Sequence, residues 1–425
     1  MLKTILIFLI IFSILVVFHE FGHYSVARRS GILVREFSIG FGPKMVSWRR
    51  HHTTFTIRWL PVGGYVRMAG AEDDDSAIEP GTSGTVQLNE AGVVTVIDIS
   101  EESGNLSGIP LQIGKADLID ALTISGNENA DPDQPRTYQV DHDALIIEKD
   151  GTEVQIAPRD VQFQSASVGR RIMTNFAGPF NNFLLAIVGF MVVAFLQGGV
   201  VSNSNAVGTI QSGSVAAKAG LMAGDQITKV NGQTTSDWTA LVTAIQKRYG
   251  KTTTLTYQRD GATKTTTLTP KTVQDSGSKT KYGQIGITNA IDRSFGAKLK
   301  YGFTATWDLG GRILHVLGSF FTGGFSLNKL SGPVGIYNST AQVVNAGLVN
   351  IVYFLAMLSV NLGLVNLVPI PGLDGGKILL NLVEAIRRKP IPVEKEGIIT
   401  LIGAGFLLVL MVAVTWNDIV RYFIK

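Results

Sequence analysis

The residues best suited to chemistry are two histidines and a glutamate near the start of the chain. His19-Glu20-Phe21-Gly22-His23 follows an apolar stretch, Ile5 to Phe18, in which Ser13 is the one polar residue. On a helix the two histidines lie one turn apart on one face, and Glu20 can reach a water bound to the same metal ion. This H-E-x-x-H arrangement is typical of zinc hydrolases, in which zinc activates the water and a carboxylate takes its proton.

A chance motif and a secretory signal peptide are the alternatives for this segment. An apolar helix offers no water to ionisable side chains, so an unpartnered trio would be costly there, which disfavours chance. Arg28 and Arg29 directly follow the segment, and such a cluster holds that end in the cytoplasm, which disfavours export. We therefore expect a transmembrane helix that carries a metal site.

Composition narrows the class of protein. The 425 residues are 45% hydrophobic and 16% charged, too apolar for an ordinary soluble enzyme and too polar for a bundle of membrane helices alone. The net charge is +4, and the basic residues gather at helix ends, which argues against a nucleic-acid partner. Because the chain has no cysteine, any metal site must use His, Asp or Glu.

Four segments are predicted to span a lipid bilayer: roughly residues 2–27, 172–195, 348–368 with its extension, and 398–416. Basic residues follow the first, precede the second and separate the third from the fourth, which places these ends in the cytoplasm and both termini outside. The segment between the first two spans is then cytosolic, and the segment between the second and third is extracytoplasmic.

The cytosolic segment is predicted to be rich in β-structure. Residues 36–68 alternate apolar with polar side chains and contain Gly63-Gly64 and Gly42-Pro43, as a hairpin would. This hairpin either packs on a soluble core or lies near the metal and offers a strand edge to an unwound substrate. Residues 72–75 predict a solvated acidic loop, and residues 93–158 predict a small β-rich domain.

The extracytoplasmic segment contains small-residue turns in a distinctive order. Val207-Gly208-Thr209-Ile210 is followed by Ala223-Gly224-Asp225-Gln226-Ile227 and Val230-Asn231-Gly232, then by a helix-like stretch. This order resembles a PDZ domain of bacterial membrane and periplasmic proteases. Such domains bind chain ends or extended peptides by β-addition. A small α+β spacer without a ligand is the alternative.

A candidate third metal ligand lies at the end of the third span. Asp374 belongs to residues 366–376, a stretch broken by prolines and glycines, where freed backbone groups need protein, metal or water partners. At ~1.5 Å per residue, Asp374 and His19 both lie toward the cytoplasmic side. We therefore predict Asp374 as the third ligand, ahead of His315, which the topology places outside, and Glu384, which lies past the break.

Together these motifs resemble the bacterial site-2 proteases, intramembrane zinc metalloproteases that perform regulated intramembrane proteolysis. His19 to His23 matches the first motif of the family, and Asn366 to Gly375 matches its Asn-x-x-Pro-x-x-x-x-Asp-Gly motif. Residues 177–182 and 331–335 also resemble family segments. The likeness covers nearly the whole chain, is weakest over residues 86–161, and is nearest to the single-PDZ members of Gram-positive bacteria.

The resemblance implies hydrolysis of a peptide bond within the transmembrane helix of a substrate. In this interpretation His19, His23 and Asp374 hold Zn²⁺, while Glu20 acts as general base and passes the proton to the leaving amine. The implied substrates are single-span membrane proteins already trimmed outside the membrane, such as anti-sigma factors, and signal-peptide remnants. The PDZ domain would bind the new chain ends or act as a size filter.

A helical substrate must unwind locally before its carbonyls can be attacked. The resemblance implies that Asn366 and the hairpin residues Gly63 and Gly64 hold the extended strand. An interhelical hydrogen bond is the alternative role for Asn366. The same two roles are open for Asn181 and Asn182.

Two other functions remain open at this point. The first is a catalytically inert membrane adaptor that presents a PDZ domain, which the presence of Glu20 beside both histidines disfavours. The second is a metal transporter, which would need a polar path on further helices.

The predicted fold is a polytopic α-helical membrane protein with about four transmembrane helices, a β-rich cytosolic insertion and an extracytoplasmic PDZ domain, located in the plasma membrane of a bacterium. Its predicted divisions are transmembrane helix 1 (1–27), a membrane-associated β-hairpin region (28–80), the cytosolic insertion (81–169), transmembrane helix 2 (170–198), the PDZ domain (203–290), an amphipathic linker (291–345), transmembrane helix 3 (346–386) and transmembrane helix 4 (396–418).

Overall fold

Four long apolar helices dominate the fold. The computed structural model describes residues 2–70, 78–100, 108–129, 131, 135–274, 280–324 and 326–424, so the acidic run 72–75 lies outside the described residues. The helices are α1 Leu2–Arg29, α2 Val168–Leu196, α3 Val215–Lys218, α4 Trp238–Gln246, α5 Phe295–Phe321, α6 Pro333–Ala346, α7 Leu348–Asn366, α8 Asp374–Arg387 and α9 Val393–Ile419. Among the described helices, α1, α2, α7 and α9 are long and apolar enough to cross a membrane, which agrees with the prediction of about four transmembrane helices.

The chain forms two compact units. The first contains residues 1–189 and 305–425, and the second contains residues 190–304. The strands of the first unit are β1 Val34–Arg50, β2 Thr53–Met68, β3 Ser83–Leu88, β4 Val94–Asp98, β5 Ile109–Asp117, β6 Thr123–Glu128, β7 Pro135–Ile147 and β8 Glu153–Gln155.

The third apolar segment is broken into two helices. The region 346–386, predicted as transmembrane helix 3, contains α7 and α8 joined by a tight turn over residues 367–373. Pro369 and Pro371 in this turn lack the N–H groups that a continuous helix needs. A Cβ on Gly375 would lie 2.3 Å from the carbonyl oxygen of Leu367, so only glycine permits the turn to fold this closely onto α8. The break makes Asp374 the first residue of α8.

The strands β1 and β2 form a sheet that is more folded than a simple hairpin. Ser38 pairs with both Tyr65 and Thr56, so the first half of β1 lies between the two halves of β2. Gly40 and Gly63 adopt φ of +88° and +90°, which allows the strands to bend where other residues would be strained. The segment Gly64–Met68 is an outer row whose second edge has no strand partner among the described residues.

The β-rich insertion is a closed barrel. Its sheet has the order β4-β3-β5-β6-β7-β8, and β4 also pairs with β7. Within the described residues the sheet therefore returns to its first strand, and the three-residue strand β8 is a short edge. Alternating residues of these strands fill the interior. The fully buried side chains include Val86, Val94, Ile97, Ile113, Ile124, Val154 and Ile156.

The second unit is built around a four-stranded sheet and one amphipathic helix. The sheet has the order β12-β11-β13-β14, and Leu241 and Ile245 of α4 pack in its core with Leu255. Asn231 and Gly232 both adopt positive φ, the conformation of a type I′ turn, which explains the tight connection between β11 and β12. The strands are β9 Val200–Val201, β10 Val207–Ile210, β11 Gln226–Val230, β12 Gln233–Thr234, β13 Thr253–Arg259, β14 Ala262–Leu268, β15 Lys271–Gln274, β16 Lys281–Gln284, β17 Ile287–Asn289 and β18 Ile291–Asp292.

Candidate active site

The three predicted ligands lie together in the first unit. The Nε2 atoms of His19 and His23 are 3.2 Å apart. Asp374 Oδ2 lies 3.2 Å from His19 Nε2 and 3.4 Å from His23 Nε2. Within the described residues this is the one group of three histidine or carboxylate side chains that could share a metal ion. His315, the less favoured candidate, is not part of it.

The triangle of ligand atoms has the size and chemistry of a zinc site. Zinc bonds to imidazole nitrogen and carboxylate oxygen are about 2.0–2.1 Å long, so two ligand atoms of a tetrahedral centre are about 3.3 Å apart. Asp374 Oδ2 is buried and accepts no hydrogen bond from the described residues, a situation that a cation relieves. A Cβ at Gly178 would lie 2.2 Å from His23 Nε2, so this glycine keeps space open beside the ligands.

The close crossing of α1 and α2 places the histidines. A Cβ at Gly22 would lie 2.2 Å from the carbonyl oxygen of Ala177, so the glycine within the His-Glu-Phe-Gly-His motif lets the two backbones touch. His23 Nδ1 then lies 2.8 Å from the carbonyl oxygen of Thr174. Sequence reasoning missed Thr174, because a backbone carbonyl acts without regard to residue type.

The two adjacent asparagines of α2 have different roles. Asn181 Nδ2 donates to the carbonyl oxygen of Phe18 at 2.9 Å, which is an interhelical hydrogen bond. The amide of Asn182 lies 3.1 Å from Nδ1 of His19, and the residue is completely buried. Asn182 therefore contacts a predicted metal ligand, whereas Asn181 contacts the backbone.

Glu20 lies beside the cluster. Its side chain is half-buried, and its electrostatic neighbours include His19, His23 and Asp374. The carboxylate makes no hydrogen bond within the described part of the chain, so its oxygens can accept one from a bound water.

An ion pair holds α8, and with it Asp374, against α2. Arg171 donates from Nη1 and Nη2 to the two carboxylate oxygens of Glu384 at 2.9 and 2.7 Å. The two side chains are only 8% and 15% exposed. Glu384, the other less favoured ligand candidate, is thus the bidentate partner of an arginine, a geometry that fixes orientation as well as charge.

The sheet formed by β1 and β2 lies beside the motif. A Cβ at Gly64 would be 3.6 Å from Cγ1 of Val16, and Val16 precedes His19 by about one turn of α1. A Cβ at Gly63 would lie 2.4 Å from Phe41. Asn366 ends α7, is half-buried, and makes no side-chain hydrogen bond with the described residues, so no interhelical bond occupies its amide there.

Buried polar contacts fix the sheet and join it to the barrel. Burial and the neighbouring Glu36 carboxylate raise the pKa of Tyr65 to about 12, so its hydroxyl keeps its proton. Arg35 Nε donates to the carbonyl oxygen of Gln155 in β8 at 2.6 Å. Arg67 pairs with Glu148 of the barrel at 2.7 Å. The insertion therefore supports the sheet that runs past the cluster.

The match to a family covers nearly the whole chain. The model of peptidase family M50 matches residues 7–410. The chain belongs to peptidase family M50. An M50 relative from Enterococcus faecalis, "Probable protease eep", is 48% identical over 424 residues, which cover 99% of this chain and 100% of that protein. The predicted site-2 protease family is confirmed.

Other M50 relatives carry names that include the metal. A Lactococcus lactis protein provisionally named a zinc metalloprotease is 46% identical over 438 residues, 100% of both chains. A Streptococcus pneumoniae protein with the same provisional description is 43% identical over 427 residues, 99% of both chains. This M50 peptidase is a zinc metalloendopeptidase with Zn²⁺ as its cofactor, as predicted.

Two solved structures are similar to parts of the chain. The PDZ domain of an SdrC-like protein from Listeria monocytogenes is 23% identical, with 21% of this chain and 90% of that chain covered, and a TM-score of 0.17. The second domain of a Listeria protein is 22% identical, with 22% and 86% covered, and a TM-score of 0.17. Scores this low carry no inference, and the PDZ domain stays a prediction.

Proposed function

We propose that this M50 peptidase hydrolyses peptide bonds within the transmembrane segments of single-span membrane proteins that have already been trimmed outside the membrane. Anti-sigma factors and signal-peptide remnants are the substrate classes, and regulated intramembrane proteolysis is the process. The observation that carries the proposal is the location of the ligand triangle. Two ligands lie on α1, which is long and apolar enough to cross a membrane, and the third follows the break after α7. If α1 and α7 span the bilayer, as we propose, a peptide bond that reaches the ligands comes from within a transmembrane segment.

The proposed roles follow the positions of the side chains. His19, His23 and Asp374 would hold Zn²⁺, which when bound supplies Lewis acidity toward the scissile carbonyl and lowers the pKa of a water. Glu20 takes the proton of the attacking water and later donates it to the leaving amine. Its lack of a hydrogen-bonding partner in the described chain supports this role, because the carboxylate oxygens are available to the water.

The substrate strand is proposed to bind along the β1–β2 sheet. A substrate unwound at the scissile bond exposes N–H and C=O groups that need partners. The outer row Gly64–Met68 has an edge without a strand partner among the described residues, and Gly63 lets the chain turn into that row. The amide of Asn366 can bond to the same substrate backbone from the end of α7.

The orientation in the membrane is proposed from charge. Basic residues end α1, begin α2 and end α8, which favours a cytoplasmic location for these ends. The barrel would then be cytosolic, and the unit 190–304 would be extracytoplasmic. There it would bind chain ends in the manner of a PDZ domain, or exclude substrates whose outer domains have not been removed.

Cleavage of a single-span reporter tests the proposal. The reporter carries a short external stub and is co-expressed with the chain in a bacterium that lacks its own enzyme of this kind. We expect cleavage within the membrane by the wild type and none by E20Q, because glutamine cannot take the water's proton. E90Q changes an exposed glutamate in a turn of the barrel and should cleave like the wild type. A stable, zinc-loaded wild type that leaves a panel of helix-destabilised reporters uncut would contradict the proposed substrate class.

A further inference from the structure

Both histidines of the cluster turn their second ring nitrogen toward α2. His23 Nδ1 faces the carbonyl oxygen of Thr174 at 2.8 Å, and His19 Nδ1 faces the side-chain amide of Asn182 at 3.1 Å. A neutral imidazole carries its proton on one nitrogen only. The group that faces Nδ1 therefore decides whether Nε2 has a lone pair free for a metal ion.

The carbonyl of Thr174 permits one tautomer of neutral His23. A backbone carbonyl oxygen can only accept a hydrogen bond. His23 Nδ1 therefore donates its proton to Thr174, and Nε2 is left as the metal-binding atom. This nitrogen is the one that faces Asp374 Oδ2.

Asn182 can present either of two groups to His19. In the structure Nδ2 faces the ring, while Oδ1 is buried and has no hydrogen-bond partner in the described part of the chain. If Nδ2 donates, then His19 Nδ1 carries no proton, and the protonated Nε2 cannot coordinate. A half-turn of the carboxamide brings Oδ1 to Nδ1 with almost no change of shape, because the amide nitrogen and oxygen are nearly the same size.

We propose that Asn182 is a positioning residue that accepts the Nδ1–H of His19 through Oδ1 in the zinc-bound enzyme, and thereby fixes the metal-binding tautomer of that ligand. The inference rests on the metal site of the proposed function and adds a residue outside the ligand set. In this arrangement the buried Oδ1 of Asn182 accepts a hydrogen bond from the Nδ1–H of His19, which is present when Nε2 binds zinc.

The packing around Asn182 leaves rotation of the carboxamide as the one movement open to its side chain. The residue is 0% exposed, and its backbone carbonyl accepts a hydrogen bond from Ser359 Oγ of α7 at 2.7 Å. A Cβ at Gly363, also on α7, would lie 3.4 Å from the Cβ of Asn182. With α1 on one side and α7 on the other, the side chain cannot swing away, so the amide plane is the part that can turn.

Zinc affinity of the purified full-length chain, measured by competition with a chelator, tests the assignment. N182A removes the acceptor and should weaken zinc binding about 10- to 100-fold, the usual effect of losing such a partner. N182D offers only acceptor oxygens and should stay less than about tenfold from the wild type by the same scale. Equal losses in N182D and N182A would overturn the proposal, because they would show that the amide donates.

N181A is the matched control. It removes an asparagine amide one position away that bonds to the Phe18 carbonyl rather than to a ligand, so zinc affinity should be unchanged even if the chain unfolds more easily. Weakening in N181A equal to that in N182A would mean that loosening of the α1–α2 contact explains both, and would overturn the proposal. If the buried charge prevents N182D from folding, N182S takes its place and must bind zinc more tightly than N182A.

Nitrogen NMR of chain labelled with ¹⁵N-histidine gives a second readout that does not depend on activity. The chain has six histidines, and the H19A variant identifies the His19 signals. Zinc-loaded wild type should show His19 protonated at Nδ1, and N182A should show a mixture of tautomers at the same zinc concentration. An unchanged His19 signal in N182A would overturn the inference about Asn182 but not the proposed function. Failure of the wild type to bind zinc would overturn the metal site and the proposed function with it.

Discussion

Replacement of Gly178 by alanine should disable the zinc site while leaving the helix intact. The new Cβ would lie 2.2 Å from His23 Nε2 and 2.8 Å from His19 Cε1, whereas real Cβ contacts are not closer than 3.0 Å. The ring and the methyl must therefore separate by about 0.8 Å, several times the tolerance of about 0.2 Å for a metal–ligand distance. His23 cannot simply turn aside, because its Nδ1 is held by the carbonyl of Thr174.

The expected result is a loss of at least about 100-fold in reporter cleavage, the scale at which a displacement of about 1 Å acts on a catalytic group. Zinc content of the purified chain should fall as well, since both histidines are affected. G169A is the matched control, because it lies on the same helix and its Cβ would meet nothing within 4 Å. It should retain zinc and cleavage. G178A with wild-type zinc content and wild-type cleavage would refute the derived geometry of the site.

Three further outcomes are expected. E384A leaves the guanidinium of Arg171, only 8% exposed, without its charge partner, so the free energy of unfolding in detergent should fall by about 3 kcal/mol. D120N changes the exposed pair with Arg159 and should alter this free energy little. Similar losses in both variants would contradict the role of burial. Burial raises the pKa of Asp225, but hydrogen bonds from Arg259 and a backbone N–H outweigh burial and lower the pKa. This carboxylate therefore stabilises the unit 190–304 above the unfolded-state pKa of about 3.9, and stabilises it less as pH falls below that value. Protection of the backbone amides of this unit against hydrogen exchange should show the acid sensitivity in the wild type and not in D225N. A strong chelator should abolish reporter cleavage and added Zn²⁺ should restore it, and cleavage that persists after complete zinc removal would contradict the metal mechanism.

The clustering of the three candidate ligands could be predicted because it is encoded in residue type and spacing. Two histidines four residues apart on an apolar helix have few other uses, and a carboxylate in a proline-broken stretch needs a partner. These features predict that His19, His23 and Asp374 lie together, and the structure has their candidate ligand atoms within 3.4 Å of one another. The family match confirms the predicted enzyme class and cofactor, and the assignment of these three residues as zinc ligands stays a prediction.

The support of the site was less predictable. Thr174 contributes a backbone oxygen, which leaves no trace in the sequence, and Gly178 contributes the absence of a side chain. The sequence leaves Asn182 a choice between a substrate contact and an interhelical hydrogen bond, because its partner depends on the crossing of α1 and α2. The alternation in residues 36–68 predicted strands, yet the pairing of Ser38 with two partners depends on bulges that alternation does not specify.

The contact between α1 and α2 also constrains the route by which the proposed transmembrane substrate would enter. Gly22 and Ala177 bring the two backbones together, and Thr174 and Asn182 contact the histidine rings across the same seam. If these helices moved apart to admit a substrate, both rings would lose their supports at the moment of catalysis. Entry of the proposed substrate between α1 and α2 is therefore incompatible with an intact site, and the proposed function requires a path along another flank of α1.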